Sequence, residues 1–371
     1  EPIMLAIEKL LRDNAQTTGE FRRIHVAPSS GGDIPDDRDT RLVILRPDQP
    51  YSRDGQNRAQ HAVESMLQMR GNSPREYRNT LVFLAADSVR LPDLIRAVAF
   101  GMAWHSVIAD KNTLNLTPQQ VRQAEARLIE SQQAIASQLH EVYSQLLIPS
   151  QTKTSPHIEW QTLTLKGTEA LAVRVSRRMQ KEELLTDSIA PTIVRRYMDE
   201  VPLWRGDAVS VRDLVNYFAQ YLYLPRLTSP AVLIQALQIG SALKNPLESF
   251  GVADGWDEQH TRFTGLRITS PEQFSPDSRS LLVKPDVALA QIARDIPPVP
   301  PPVEPKPGET GPQPTPPGPG PVVPPPPPQA TIYRRYFGSV ELDANRAGRH
   351  VNDIISEIVE HLVSHQGARV R

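Results

Sequence analysis

Asp87 and Ser88 follow directly on the apolar run Leu81–Ala86 (LVFLAA) and precede a helix-like stretch. Loops at the carboxyl ends of strands are where open α/β sheets bind ligands, so these two are candidate strand-end polar residues, placed where chemistry can be done. Arg75 and Arg78, in SPREYRN just before the same run, are candidates for contacting phosphate or for acting in trans on a neighbouring subunit; a solvated charged edge is the competing reading. The acidic group Asp33, Asp36, Asp37 and Asp39 has the charge to hold a divalent cation. Its spacing is not that of a calcium loop and no distal Glu closes it, which favours a solvated loop. Arg195, Arg196, Arg205, Arg212 and Arg226 are candidate nucleic-acid contacts, mixed with Asp and Glu. The nine histidines are scattered without metal-ligand spacing, and GxxxxGK[ST], GxSxG, HExxH and GxGxxG do not occur. No catalytic residue and no metal site can be assigned on these grounds.

Several elements must position these residues. The run Leu81–Ala86 is apolar throughout, as expected of a strand covered on both faces of a mainly parallel sheet. Leu91, Leu94, Ile95, Val98 and Met102 then repeat at helical spacing and predict a helix lying back on that sheet. A short helix is expected over Ile3–Leu11, strands over Phe21–Val26 and Arg41–Leu45, and an amphipathic helix over Ala59–Met69 that stops at Gly71. A long helix is predicted from Thr117, as N-cap, to Leu147, with Pro118 at its first position and Pro149 just beyond its end. Ile158–Leu165 and Leu171–Val175 alternate around Lys166-Gly167, a hairpin signal.

Three helical segments are expected next: one or two within Lys181–Asp199 interrupted at Pro191, one opened by Ser210 with Asp213, and one from Ser229-Pro230 to Gly240. A hairpin is expected within Gly251–Ile268. Three helices and then a hairpin is the order of a winged helix, a module that reads DNA or mediates protein contacts. Half of the chain's 36 prolines fall in residues 297–328, predicting a polyproline-like spacer that rises about 3.1 Å per residue. Thr331–Leu342 is a strand candidate, and Val351, Ile354, Ile355, Ile358 and Leu362 mark an amphipathic helix. The resulting division is an α/β domain over 1–155, a winged-helix-like α+β domain over 156–290, a Pro-rich linker over 291–330 and a small incomplete α/β domain over 331–371.

Composition limits the function classes. At 371 residues, 39% apolar, 22% charged and with net charge −1, the chain is ordinary globular material without a global nucleic-acid or membrane footprint. The absence of cysteine removes disulfides, thiolate catalysis and cysteine zinc sites and fits a reducing cytoplasm. No apolar run approaches the roughly 20 residues needed to span a bilayer. The first residue is Glu and the last five begin a strand-like pattern, so the chain reads as a piece of something larger.

The wording of several segments resembles the C-terminal half of a family of large prokaryotic AAA-type ATPases carried as domain of unknown function 499, often encoded in islands with DNA methylases, helicases and nucleases. The segments are GDIPDDRDTRLVILRPDQP, RGNSPREYRNTLVFLAAD with AVAFGMAW, VSVRDLVNYFAQYLYLPRL, and YFGSVELDANRAGRHVNDIISEIVEHL after the proline-rich stretch. Together they run through most of the chain. The resemblance implies that residues 1–155 complete a RecA-like ATPase core and that ATP and Mg belong to the full-length protein. It also implies that the phosphate-binding loop lies in a preceding N-terminal half, which becomes the first partner, with DNA and other phage-defence or restriction proteins as further partners. No catalytic residue of the family has a matching position here. A non-enzymatic interaction scaffold with a degenerate nucleotide-binding fold is the alternative from a different class.

Overall fold

The computed structural model describes residues 1–54 and 57–295. The expected strand at 331–342, the helix after it, the final strand and residues 296–330 of the proline-rich linker lie outside the described residues; 291–295 belong to a helix.

In chain order the first core consists of α1 (Pro2–Asn14), β1 (Arg23–Val26), β2 (Arg41–Ile44), α2 (Arg58–Gln68), a two-residue ribbon β3 (Met69–Arg70) and β4 (Ser73–Pro74), and β5 (Leu81–Ala86). It continues through α3 (Leu91–Ala109), α4 (Pro118–Val142), β6 (Tyr143–Ser150), β7 (Glu159–Thr164) and α5 (Leu171–Lys181). A second core follows with α6 (Pro191–Glu200), β8 (Ala208–Ser210), α7 (Val211–Gln220), α8 (Pro230–Ser241), β9 (Gly251–Ala253), β10 (Gly255–Asp257), β11 (Arg262–Thr264), β12 (Leu281–Val283) and α9 (Pro285–Asp295).

The main sheet has the order β1-β2-β5-β6-β7. The β1–β2 and β2–β5 pairs are parallel, whereas β5–β6 and β6–β7 are antiparallel. The sheet is therefore mixed rather than mainly parallel. The expected helix from Thr117 to Leu147 ends at Val142, and Tyr143 to Ser150 is the strand that introduces the antiparallel pairs. Tyr143–Pro149 is buried along its whole length, so this segment has no polar face with which to continue a surface helix. The hairpin expected around Lys166-Gly167 is corrected in the same way. β7 pairs with β6, while Leu171–Lys181 is a helix whose Leu171, Ala172, Val175 and Met179 are buried at helical spacing. The boundary expected at residue 155 falls between β6 and β7, inside the sheet.

Alternation along the strands divides the core. Leu42, Ile44, Val82, Leu84, Ala86, Leu146 and Ile148 face α1, α3, the end of α4 and α5. Val43, Leu45, Leu81, Phe83, Ala85 and Leu147 face α2, with Leu222 of the second core among them. Both faces of β5 are covered, which is why its sequence is apolar throughout.

The second core is built on α6, α7 and α8 with a three-stranded antiparallel sheet of order β8-β12-β9, and β10 pairs with β11 as a separate hairpin. Ser210 caps α7 by accepting from the Asp213 amide at 3.0 Å. This core is bound to the amino ends of β2 and β5. The Thr40 amide donates to the Thr228 carbonyl at 3.1 Å, and the Asn79 side-chain amide donates to the carbonyls of Phe218 (2.9 Å) and Leu224 (3.2 Å). No described helix is long and apolar enough to cross a membrane.

Candidate functional site

Opposite the second core, at the carboxyl end of β5, lies a cleft of about 510 Å³. It is the place that the chain's own topology prepares. β5 ends there with a register shift at Ala85/Ala86, β6 begins there, and β7 delivers Thr164 and the loop to α5.

Asp87 stands at its base. The Asp87 amide donates to Val142 at 2.8 Å, and its carboxylate accepts from the Val89 amide and from the Gln145 side chain, both at 2.9 Å. Gln145 in turn accepts from the Thr164 hydroxyl at 3.4 Å, so the residue that follows β5 and one side chain each from β6 and β7 join a single polar chain. Ser88 contributes its backbone: its amide donates to Tyr51 at 3.0 Å, and the Tyr51 amide donates to Ala86 at 2.7 Å. Tyr51 thereby extends the sheet beside Asp87.

The walls are cationic. Arg53, Arg90, Lys166 and Arg174 line the cleft against two carboxylates, Asp87 and Glu141. Arg90 and Glu141 form an exposed pair at 3.4 Å. Arg174 differs from the others because only 4% of it is exposed. It donates to the carbonyls of Gly167 (3.0 Å) and Tyr143 (3.1 Å), and its Nε has no partner among the described residues. No carboxylate lies within ion-pair distance of it among the described residues; burial lowers its pKa, and Glu169 opposes that only at a distance. Beside it, His140 has its pKa lowered by burial and then by Arg174, and its Nδ1 is also unpartnered among the described residues. A buried guanidinium with carbonyl partners alone, next to further cations, suits the holding of an anion. Among the described residues no group of three His, Asp or Glu side chains is placed to hold a metal ion.

The other sequence candidates lie elsewhere. Arg75 is 2% exposed and donates to the carbonyls of Met66 (2.8 Å), Gly31 (2.9 Å), Ile34 (3.1 Å) and Pro35 (3.3 Å), with Asp36 at 3.6 Å. It is an internal staple of the loop before β2. Arg78 is half-buried and donates to the Arg75 carbonyl at 3.3 Å. The acidic loop is spent on the same structure: Asp33 caps the turn at Gly31–Asp33, Asp36 accepts from the Glu76 and Tyr77 amides, and Asp37 pairs with Arg41.

Of the five candidate arginines in the second core, Arg226 lies in the interior. Arg226 is fully buried, with its pKa lowered to about 10 by desolvation, and donates to Asn79 (2.8 Å) and Pro149 (2.9 Å) carbonyls. Arg195 pairs with Asp199 at 3.0 Å and lies over the Trp204 ring. Arg196 reaches Glu200 at 3.7 Å, and Arg212 lies 3.9 Å from Asp213. Arg205 donates to the Tyr217 hydroxyl at 2.7 Å.

Sequence reading missed Gln145, Lys166, Arg174 and His140. Each depends on where β6 begins, and the signal that could have found them is the loss of a polar face after Val142. In comparisons with known proteins the chain matches no family model, no curated protein and no solved structure.

Proposed function

We propose that this chain is the C-terminal, coupling half of a phosphate-loop ATPase of the kind its wording resembles, acting in phage defence or DNA restriction. The observation that carries the reading is the cationic cleft at the carboxyl end of β5, with buried Arg174 lacking a carboxylate partner among the described residues. In the full-length protein ATP and Mg are the cofactors, and the cleft meets the nucleotide's phosphates presented by the N-terminal half.

The second core is read as a winged helix. Supporting that reading are the order α6, β8, α7, α8, β9, β12 and the sheet order β8-β12-β9, with the β10–β11 hairpin in the place of the wing. In that reading α8 is the recognition helix, and its exposed residues Ala231, Gln235 and Ile239 carry no charge. This favours a protein partner, such as another defence-island component, over DNA. The second core grips the amino ends of β2 and β5 while the cleft opens at the carboxyl end of β5. That arrangement couples the two sites through a single strand.

The test is magnesium-dependent ATP turnover by the complete gene product. Lys166→Glu and Arg90→Glu, both on exposed residues, are expected to lower turnover about tenfold or more by reversing charge at the phosphates. Wild-type turnover in both variants, or a complete product without a GxxxxGK[ST] loop, overturns the reading in favour of a non-enzymatic scaffold.

A further inference from the structure

Helices α3 and α4 pack antiparallel as an arm that leaves the sheet at Asp87 and returns at Tyr143. Its base is held by Leu91, Leu94, Val98, Leu139 and Val142, all buried in the first core. Farther out, the helices meet closely at Gly101, where an added Cβ would come within 3.3 Å of Ile135. Beyond that crossing, Ala124 is the one buried residue that α4 contributes.

Along the seam between the helices runs a groove of about 630 Å³, floored by Ala97, Phe100, Trp104 and Ala134. Phe100 is 57% exposed. An aromatic ring left in water beside a half-buried indole is a surface lacking its cover.

The spacing of the stripe indicates what the cover is. Arg96, Phe100 and Trp104 lie four apart on one ridge of α3, with a cation four residues before the ring and an indole four residues after it. A second copy turned about a two-fold axis through Phe100 reads the same stripe in reverse. Phe100 then packs beside its counterpart, Trp104 meets the partner's Arg96, and the small Ala97 leaves room for the contact. Arg96 is free to make this contact, since its pairing with Asp93 at 3.3 Å is exposed and weak. The rim is self-complementary as well, because each helix carries both signs: Asp93 and Arg96 on α3, Arg127 and Glu130 on α4.

We infer that the Phe100 face of the arm is a self-association surface, where two copies of this chain join their helix pairs into a four-helix bundle. The arm offers a face of about 30 by 20 Å, on the order of 600 Å² per partner and below the standard interface, as expected of a reversible dimer.

The protein contains no cysteine, which makes the test direct. Phe100→Cys introduces a single thiol next to the axis and is expected to cross-link into a homodimer under mild oxidation. Met102→Cys, on the far side of the helix, is expected not to. Light scattering of the unmodified chain at about 100 µM is expected to give a dimer, and Phe100→Glu a monomer with an unchanged urea midpoint. A monomer at that concentration, a dimer that survives Phe100→Glu, or equal cross-linking at both positions overturns the inference.

Discussion

Gln145 of β6 donates its side-chain amide to the carboxylate of Asp87, the residue that follows β5, at 2.9 Å, and thereby joins the ends of two antiparallel strands at the base of the cleft. The bond lies where the polar part of the site meets the core. Gln145→Leu removes one of the two donors to a half-buried carboxylate and is expected to cost about 1–2 kcal/mol in urea unfolding. Gln145→Glu, which sets two carboxylates against each other, is expected to cost more, and that order of the two variants checks the assignment.

Arg75 and Arg78 are predicted to separate sharply. Arg75→Ala leaves four carbonyls without their donor and Asp36 without its cation, at a cost of about 3–5 kcal/mol. Arg75→Lys restores little, because an ammonium cannot span the fork. Arg78→Ala is expected to cost under about 1 kcal/mol. Chemical denaturation of the three variants reads this directly.

Arg226 ties the two cores together. Arg226→Ala is expected to lower stability by about 2–4 kcal/mol and, because Asn79 and Pro149 lose their shared donor, to split one urea transition into two. Fluorescence of the tryptophans against far-ultraviolet circular dichroism shows the split. A single coincident transition would count against the tie.

His25 supplies a pH dependence. Its pKa is lowered from 6.5 to about 4, by burial first and then by Arg41, Arg23 and Arg75, so between those values the unfolded chain binds more protons than the folded one. Stability is therefore full above about pH 6.5 and falls as the pH drops towards 4. With the partial exposure of the ring, the loss is on the order of 1–2 kcal/mol. His25→Asn is expected to flatten this part of the stability profile; an unchanged slope would assign it to other groups.

Duplex DNA is predicted to bind the second core poorly. Of the five candidate arginines, Arg226 is buried, Arg195, Arg196 and Arg212 have a carboxylate within 4 Å, and Arg205 is held by the Tyr217 hydroxyl. A log–log salt slope no steeper than about −2.7, for at most about three phosphates, is expected from titrations at two salt concentrations.

Much of the fold was legible because the strand and helix periods were clean. β5 covers Leu81–Ala86 as read, and Leu91, Leu94 and Val98 are buried on α3. Met102 follows the same spacing and is 39% exposed, because by that point the helix has run past the sheet that its stripe was meant to cover. β6 stayed hidden for a local reason: α4 passes into it without a loop, and Tyr143–Ile148 suits a buried helix as well as a buried strand. With β6 unseen, Gln145 and Arg174 had no cleft to belong to. A charge in sequence does not reveal whether a carbonyl is waiting for it. Arg75 and Arg226, both candidates, donate to buried backbone oxygens.

From the standpoint of the sheet, everything between Asp87 and Val142 is one connection. The amide of the first bonds the carbonyl of the second at 2.8 Å, and Ala86 pairs with Tyr143. The helical arm is thus an enlarged hairpin loop whose mouth is already closed, and lengthening such a loop carries only a small entropic penalty. Its outer part, past the Gly101 crossing, is therefore free to change length and surface without disturbing the register of β5 and β6. The sheet can stay fixed while the arm is remade for new partners.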